Sequence, residues 1–304
     1  MTTSSVPSPQ SRAYAYAALA SVCLLWGTTY LAIRISLEAL PPFYLIAIRY
    51  TISGGALLLA AALFGAPVPR GRELLQTAAC GVVCIGIGNG FLALAELRVP
   101  SGLAALIYTT CPFWMAGIDA LLPGGKAPRA ASVWGLAVGS VGVLFLVLPG
   151  VVREGIGGGS LVGFLILQVS VVGWTAGALL QKRVKTRSSP LVLGAVQQLA
   201  AGLAMFVPAA IFEKAPSAIA LRPGLAVVYL IVFGSFVGFS SFIYAMTRLP
   251  VALVSIYTFV NPIVAVFLGW LFYREPFGRR EFVAMVVIFA GVALVKRSES
   301  RATP

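Results

Sequence analysis

The sequence predicts an all-α integral membrane protein whose ten transmembrane helices form two inverted five-helix repeats. Three observations predict it. Of 304 residues, 59% are hydrophobic and 10% charged, where a soluble domain is about a quarter charged, and the mean hydropathy is +0.96. The apolar residues fall into ten runs, nine of 18–22 residues and the last of 14, separated by proline, glycine or charge. The chain also matches itself at offsets of 148 and 150 residues.

A span needs about 20 apolar residues, so ten of them use about two thirds of the chain. Residues 1–12 are polar and read as a cytoplasmic tail. The run from Ala13 to Ile33 is too long for the core of a cleavable signal peptide and is the first span. Further spans follow at Phe43–Phe64, Leu74–Ala95, Gly102–Leu122, Ala131–Leu148, Leu161–Gln181, Leu191–Phe212, Leu225–Met246, Ala252–Tyr273 and Phe282–Val295. Their punctuation is explicit, as in PPF at Pro41, GAPVPRGRE at Gly65 and EKAPS at Glu213.

The repeat fixes the organisation. An offset of 148 lays Trp26 on Trp174, Pro42 on Pro190 and Gly54 on Gly202, while 150 lays Arg98 on Arg248, Pro100 on Pro250 and Pro112 on Pro262. The halves, 13–148 and 161–297, are joined by a loop at 149–160, and 298–304 form a second cytoplasmic tail. Five spans per half is odd, so the second half is inverted, an arrangement secondary transporters use to alternate access around a midplane site. Ten spans put both termini on one side. With that side inside, 13 of the 22 Lys and Arg lie inside against 8 outside, with Arg49 within a span. The excess of inner positive charge orients the chain N-in and C-in.

The net charge of +13 is spread in short clusters between apolar runs. Such clusters orient helices and touch anionic lipid headgroups, so the partners expected are membrane lipids and a small-molecule substrate, with no nucleic acid. There is no histidine, which removes the commonest metal ligand and proton shuttle. The four cysteines all lie inside apolar runs and read as membrane-buried thiols. No phosphate-binding loop is present, and the glycines of CIGIGNG at Cys84 suit close helix packing better than a dinucleotide loop. No cofactor, metal or ATP site is expected, so transport is driven by a gradient or is facilitated. An intramembrane enzyme would need clustered acids or a nucleophile–base pair; nine acids scattered mostly in loops provide neither.

WGTTYLAIR at Trp26, GNGFLALAE at Gly88, VPSG at Val99, YTFVNPIVAVFLG at Tyr257 and the Glu275–Pro276 pair resemble the EamA family of the drug/metabolite transporter superfamily over nearly the whole chain. The resemblance implies ten helices in two inverted repeats and export of small metabolites or drugs across the bacterial plasma membrane. One departure is LLPGGK at Leu121, where the first repeat lacks an acid corresponding to Glu275.

Polar side chains in spans are costly and mark pathways or helix contacts. Trp26 and Tyr30 share a face of span 1, Asn89 and Glu96 of span 3, Tyr108 and Asp119 of span 4, and Trp174 and Gln181 of span 6. Ser240 and Tyr244 share a face of span 8, and Tyr257 and Asn261 of span 9, while Gln197 and Gln198 lie side by side in span 7. Trp26, Tyr30, Asn89, Tyr108, Trp174, Gln197, Tyr244, Tyr257 and Asn261 are the candidate substrate-binding residues, although Tyr30 and Tyr244 also suit an interfacial aromatic belt. Pro112 and Pro262 free backbone carbonyls in equivalent helices and are candidate kinks. Arg49, Glu96 and Asp119 are candidates for gating or proton coupling. Asp119 also reads as a helix end facing Lys126. Arg49 and Glu96 either latch an outer gate as a pair, or hold a substrate carboxylate and exchange a proton. The alternative pairs Glu96 with Arg98 and leaves Arg49 on backbone carbonyls.

Overall fold

The computed structural model describes residues 9–122, 130–155, 157–249, 251–254 and 256–300. The helices are α1 (Pro9–Ser36), α2 (Pro42–Leu63), α3 (Gly71–Gly81), α4 (Gly88–Glu96), α5 (Ser101–Tyr108), α6 (Cys111–Leu121) and α7 (Ala130–Glu154) in the first half. The second half holds α8 (Gly159–Arg183), α9 (Pro190–Phe212), α10 (Leu221–Tyr229), α11 (Gly238–Arg248), α12 (Val251–Val254), α13 (Tyr257–Tyr273) and α14 (Arg279–Ser300).

Among the described residues these fourteen pieces make ten spans. Helix α3 runs through a π-helical stretch, Val82–Ile87, into α4, and α10 runs through another, Leu230–Val237, into α11. Helices α5 and α6 form one span broken at Thr109–Thr110, just before Pro112, whose ring removes a donor from the first turn of α6. The hydroxyls of Thr109 and Thr110 donate back to the carbonyls of Leu106 and Ile107 at 2.6 and 2.7 Å, closing the broken ladder. In the equivalent span the break falls between α12 and α13, while Pro262 lies inside α13. Among the described residues eight spans are long and apolar enough to cross a bilayer by themselves, and α13 is a shorter apolar helix.

The packing repeats with the sequence. Helices α2 and α9 pack closely, as do α7 and α14, and each pair joins equivalent spans of the two halves. The α4–α8 contact is matched by α1–α11, its counterpart across the halves. One end of the bundle holds Ser36, Pro42, Glu96, Ser101, Glu154 and Tyr273; the other holds Leu63, Gly71, Leu121, Arg183, Pro190 and Arg248. They are termed here the Glu96 end and the Arg183 end. The larger buried cluster is densest toward the Glu96 end, with Ile33, Leu40, Leu45, Ala95, Ala104 and Leu106 at 0–1% exposure. A smaller cluster of Leu19, Cys23, Ala245 and Val254 lies toward the Arg183 end.

Candidate functional site

Six rings gather on the face of α1 that carries Trp26 and Tyr30. Trp26 lies 5.1 Å from Phe242 and 5.3 Å from Tyr257, measured between ring centroids, and Phe242 and Tyr257 are 5.7 Å apart. One helical turn along, about 6 Å by rise, Tyr30 lies 6.4 Å from Tyr108, which lies 6.4 Å from Trp174. Tyr30 is buried; Trp26, Tyr108, Trp174, Phe242 and Tyr257 are half-buried although they stand well inside their spans. The Trp26–Tyr257 and Tyr108–Trp174 contacts are edge-on, a geometry aromatic quadrupoles favour.

Two of the rings, and the neighbouring Asn261, have polar tethers. The Trp26 indole N–H donates to the Gly234 carbonyl at 3.1 Å, joining α1 to the π-helical stretch before α11. The Tyr108 hydroxyl lies 3.0 Å from Ser170 Oγ and 3.4 Å from the Gly88 carbonyl, to which Ser170 also donates. Asn261, with its amide nitrogen turned toward backbone acceptors, donates to the carbonyls of Cys23 and Tyr257 at 3.0 and 3.1 Å. It thereby ties α13 to α1.

The other candidates are placed differently. Gln197 donates to Gln181 Oε1 at 2.8 Å toward the Arg183 end, away from the rings. Tyr244 lies against the Arg248 guanidinium, 5.1 Å from ring centroid to Cζ, and Phe242 takes the ring position expected of span 8. Asn89 is buried, and its amide nitrogen has no hydrogen-bond partner among the described residues. Asp119 lies 3.7 Å from Arg183; Lys126, its expected neighbour, lies outside the described residues.

The expected Arg49–Glu96 pair is not formed. Arg49 stands seven residues into α2, about 10 Å along the helix at 1.5 Å per residue, while Glu96 is the last residue of α4. At that depth the Arg49 Nε donates to Ser235 Oγ at 2.8 Å. Glu96 is fully buried, and neither carboxylate oxygen has a hydrogen-bond partner among the described residues. Its backbone carbonyl accepts from Arg34, so α1 rather than α2 brings the neighbouring cation.

Three carboxylates that spacing did not single out as a set fasten the Glu96 end. Glu213 accepts from the backbone N–H groups of Phe43 and Tyr44 at 2.9 and 3.0 Å, and Glu275 from Ser101 N, Ser101 Oγ and Gly102 N at 2.8–3.0 Å. Both cap helices whose N-cap residue is a proline with no side-chain oxygen to offer. Glu38 accepts from Tyr273 and from Arg222, linking the turn after α1 to α10 and α13. A pocket of about 70 Å³ lies beside Glu275, lined by Pro100, Leu103, Val266 and Arg280; it belongs to this end and not to the rings.

Comparison with known proteins agrees with this architecture. The EamA-like transporter family matches residues 13–148 and 161–297. The chain is 32% identical to the "Uncharacterized inner membrane transporter YedA" of Escherichia coli K12, over 92% of this chain and 90% of that protein. It is 26% identical to the "Probable terminal-alkyne amino-acid exporter" of Streptantibioticus cattleyicolor, over 92% of each. A solved crystal structure shares the fold with a TM-score of 0.64, at 23% identity, covering 93% of this chain and 98% of that one. Ten apolar helices in two repeats define a multi-pass inner-membrane transporter. The chain belongs to the EamA-like transporter family.

Proposed function

We propose that this transporter is a secondary active exporter of small amphipathic metabolites, amino acids or drug-like compounds, working by alternating access around the six rings. The observation that carries the reading is the convergence of Trp26, Tyr108, Trp174, Phe242 and Tyr257, drawn from both halves and left half-buried deep within their spans. Flat aromatic faces with a few fixed polar groups suit amphipathic organic molecules better than bare ions. Dense packing at the Glu96 end, with the sparser cluster at the Arg183 end, supports a conformation closed on the first side. The amino-acid exporter among the relatives supports both the substrate class and the direction. Glu96, buried and without a hydrogen-bond partner, is the proposed site of proton exchange.

The test is efflux of toxic amino-acid analogues from cells with and without the protein. Trp26→Ala and Tyr257→Ala each take a half-buried aromatic face away from the pathway and are expected to cut efflux about tenfold or more, a loss of about 1.4 kcal/mol in the transport step, at unchanged membrane expression. Normal efflux by both variants would leave the rings as packing residues. The same assay across pH reads the coupling: rates insensitive to pH in both wild type and Glu96→Gln remove proton exchange from the mechanism.

In this reading the Arg183 end and both termini face the cytoplasm, following the positive-inside bias. Cysteines placed at Arg153 and Lys214 are then expected to react with an impermeant reagent in intact cells, and cysteines at Arg70 and Lys185 to stay protected. Labelling at Lys185 would invert the orientation.

A further inference from the structure

Arg49 is a buried charge that the ring arrangement does not explain. It is 4% exposed on a span of a membrane protein, where an ionised side chain persists by pairing or by serving a pathway. Ser235 Oγ accepts from its Nε at 2.8 Å, and the Tyr50 ring centroid lies 4.6 Å from Cζ. Nη1 has no hydrogen-bond partner, and no carboxylate forms an ion pair with Arg49 among the described residues. One hydroxyl and one aromatic face offset only part of what a guanidinium loses on leaving water.

The position of that guanidinium is informative. A Cβ added at Gly234 would stand 3.0 Å from Arg49 Nη2 and 3.0 Å from Thr29 Cγ2. The carbonyl of the same Gly234 accepts the Trp26 indole N–H. Arg49 and Trp26 therefore flank a single glycine, where an added Cβ would press on the guanidinium as it lies. Gly234 lies in the π-helical stretch Leu230–Val237, and π-helical insertions are frequent at functional sites. Ser235 holds Nε, which fixes the plane of the guanidinium while Nη1 stays unused. An arginine held this way presents a flat edge that matches a carboxylate, a geometry lysine cannot reproduce.

We propose that Arg49 anchors a carboxylate of the transported substrate, whose organic portion lies against the rings of Trp26, Phe242 and Tyr257. This rests on the ring-lined pathway proposed above and narrows its substrates to amphipathic organic acids and amino acids. The substrate anion supplies the acidic partner that no side chain among the described residues provides, so Arg49 is fully paired only when substrate is bound.

The test uses the purified full-length protein in detergent, with 3-phenylpropionate and 3-phenylpropanamide as probes of equal size differing in charge. Binding is read from tryptophan fluorescence and thermal stability. Wild type is expected to bind the carboxylate at least tenfold more tightly than the amide. Arg49→Gln is expected to abolish that preference while keeping the amide affinity, and Arg49→Lys to restore part of it. Should Arg49→Gln fail to fold, Ser235→Ala is expected to weaken the preference severalfold, since the plane is then no longer fixed. Equal affinity for both probes in wild type, or a preference retained in Arg49→Gln, overturns the anchor while leaving the ring pathway standing. Binding of neither probe by wild type also overturns it. Failure of the pathway itself is read separately, from unimpaired efflux by Trp26→Ala and Tyr257→Ala.

Discussion

Leucine at Gly202 is expected to abolish recovery of folded protein. Helices α2 and α9 meet through two glycines that the repeat places in equivalent positions. A Cβ at Gly202 would stand 2.2 Å from the Thr51 backbone nitrogen, and one at Gly54 would stand 2.3 Å from the Leu199 backbone nitrogen. These neighbours are backbone atoms of the facing helix and cannot move aside as a side chain tip can. Close approach of this kind is how membrane helices gain van der Waals contact without a hydrophobic driving force. At the same crossing, Ser53 Oγ donates to Gln198 Oε1 at 2.7 Å, a bond that a wider spacing would also break. Even alanine forces the pair apart, at a cost of about 1–3 kcal/mol or more for overpacking, and leucine compounds it. Gly55 is the control, because nothing lies within 4 Å of a Cβ added there. Yield, monodispersity and melting temperature in detergent are measured for alanine and leucine at all three positions. Gly202→Leu behaving like Gly55→Leu would show that the α2–α9 crossing is not a close backbone contact.

The spans were legible because apolar runs of membrane length admit few alternatives. The ring residues on straight helical faces were legible too: Trp26 with Tyr30 on α1, and Tyr257 with Asn261 on α13, follow from spacing alone. Span 8 was not. Ser240 and Tyr244 share a face of α11, but spacing within one helix does not say which face turns inward. The structure brings Phe242 to the rings and sets Tyr244 against Arg248. Arg49 was legible as a charge within a span but not in its partner. Depth along α2 separates it from Glu96, and which face meets the second half depends on a glycine 185 positions later, in a different repeat. The capping role of Glu213 was hidden for a related reason. A carboxylate in a loop looks solvated in the sequence, and only the fold reveals the proline-capped start of α2 beside it.

Alanine at Glu275 is expected to loosen the Glu96 end and shift the transporter toward a state open on that side. Glu275 lies after the left-handed turn at Arg274 (φ 51°) that ends α13. From there its carboxylate crosses to the other half and takes the first two backbone N–H groups of α5 and the Ser101 hydroxyl. Hydrogen bonds to a charged group contribute about 1.5–3 kcal/mol each, and a carboxylate at a helix N-terminus gains further from the helix dipole. The first half has no matching acid in Leu121–Lys126. At the Arg183 end the halves are joined by the exposed contacts of Glu73 with Thr186 and Asp119 with Arg183, which solvent weakens, so the Glu275 cap biases the bundle toward closure at the Glu96 end. Losing even one such bond's worth of free energy moves a two-state equilibrium by about tenfold. The measurement is the rate at which an impermeant thiol reagent, applied from the Glu96 end, labels a cysteine at Ile107, which is fully buried in this conformation. The native cysteines are first replaced. Glu275→Ala is expected to raise that rate about tenfold, and Glu275→Gln less, since an amide still accepts one bond. Glu154→Ala is the control: Glu154 accepts from Ser160 N and Oγ in the same geometry, but within a single loop between consecutive helices. Equal labelling in Glu275→Ala and Glu154→Ala would reduce Glu275 to a local helix cap with no hold on the gate.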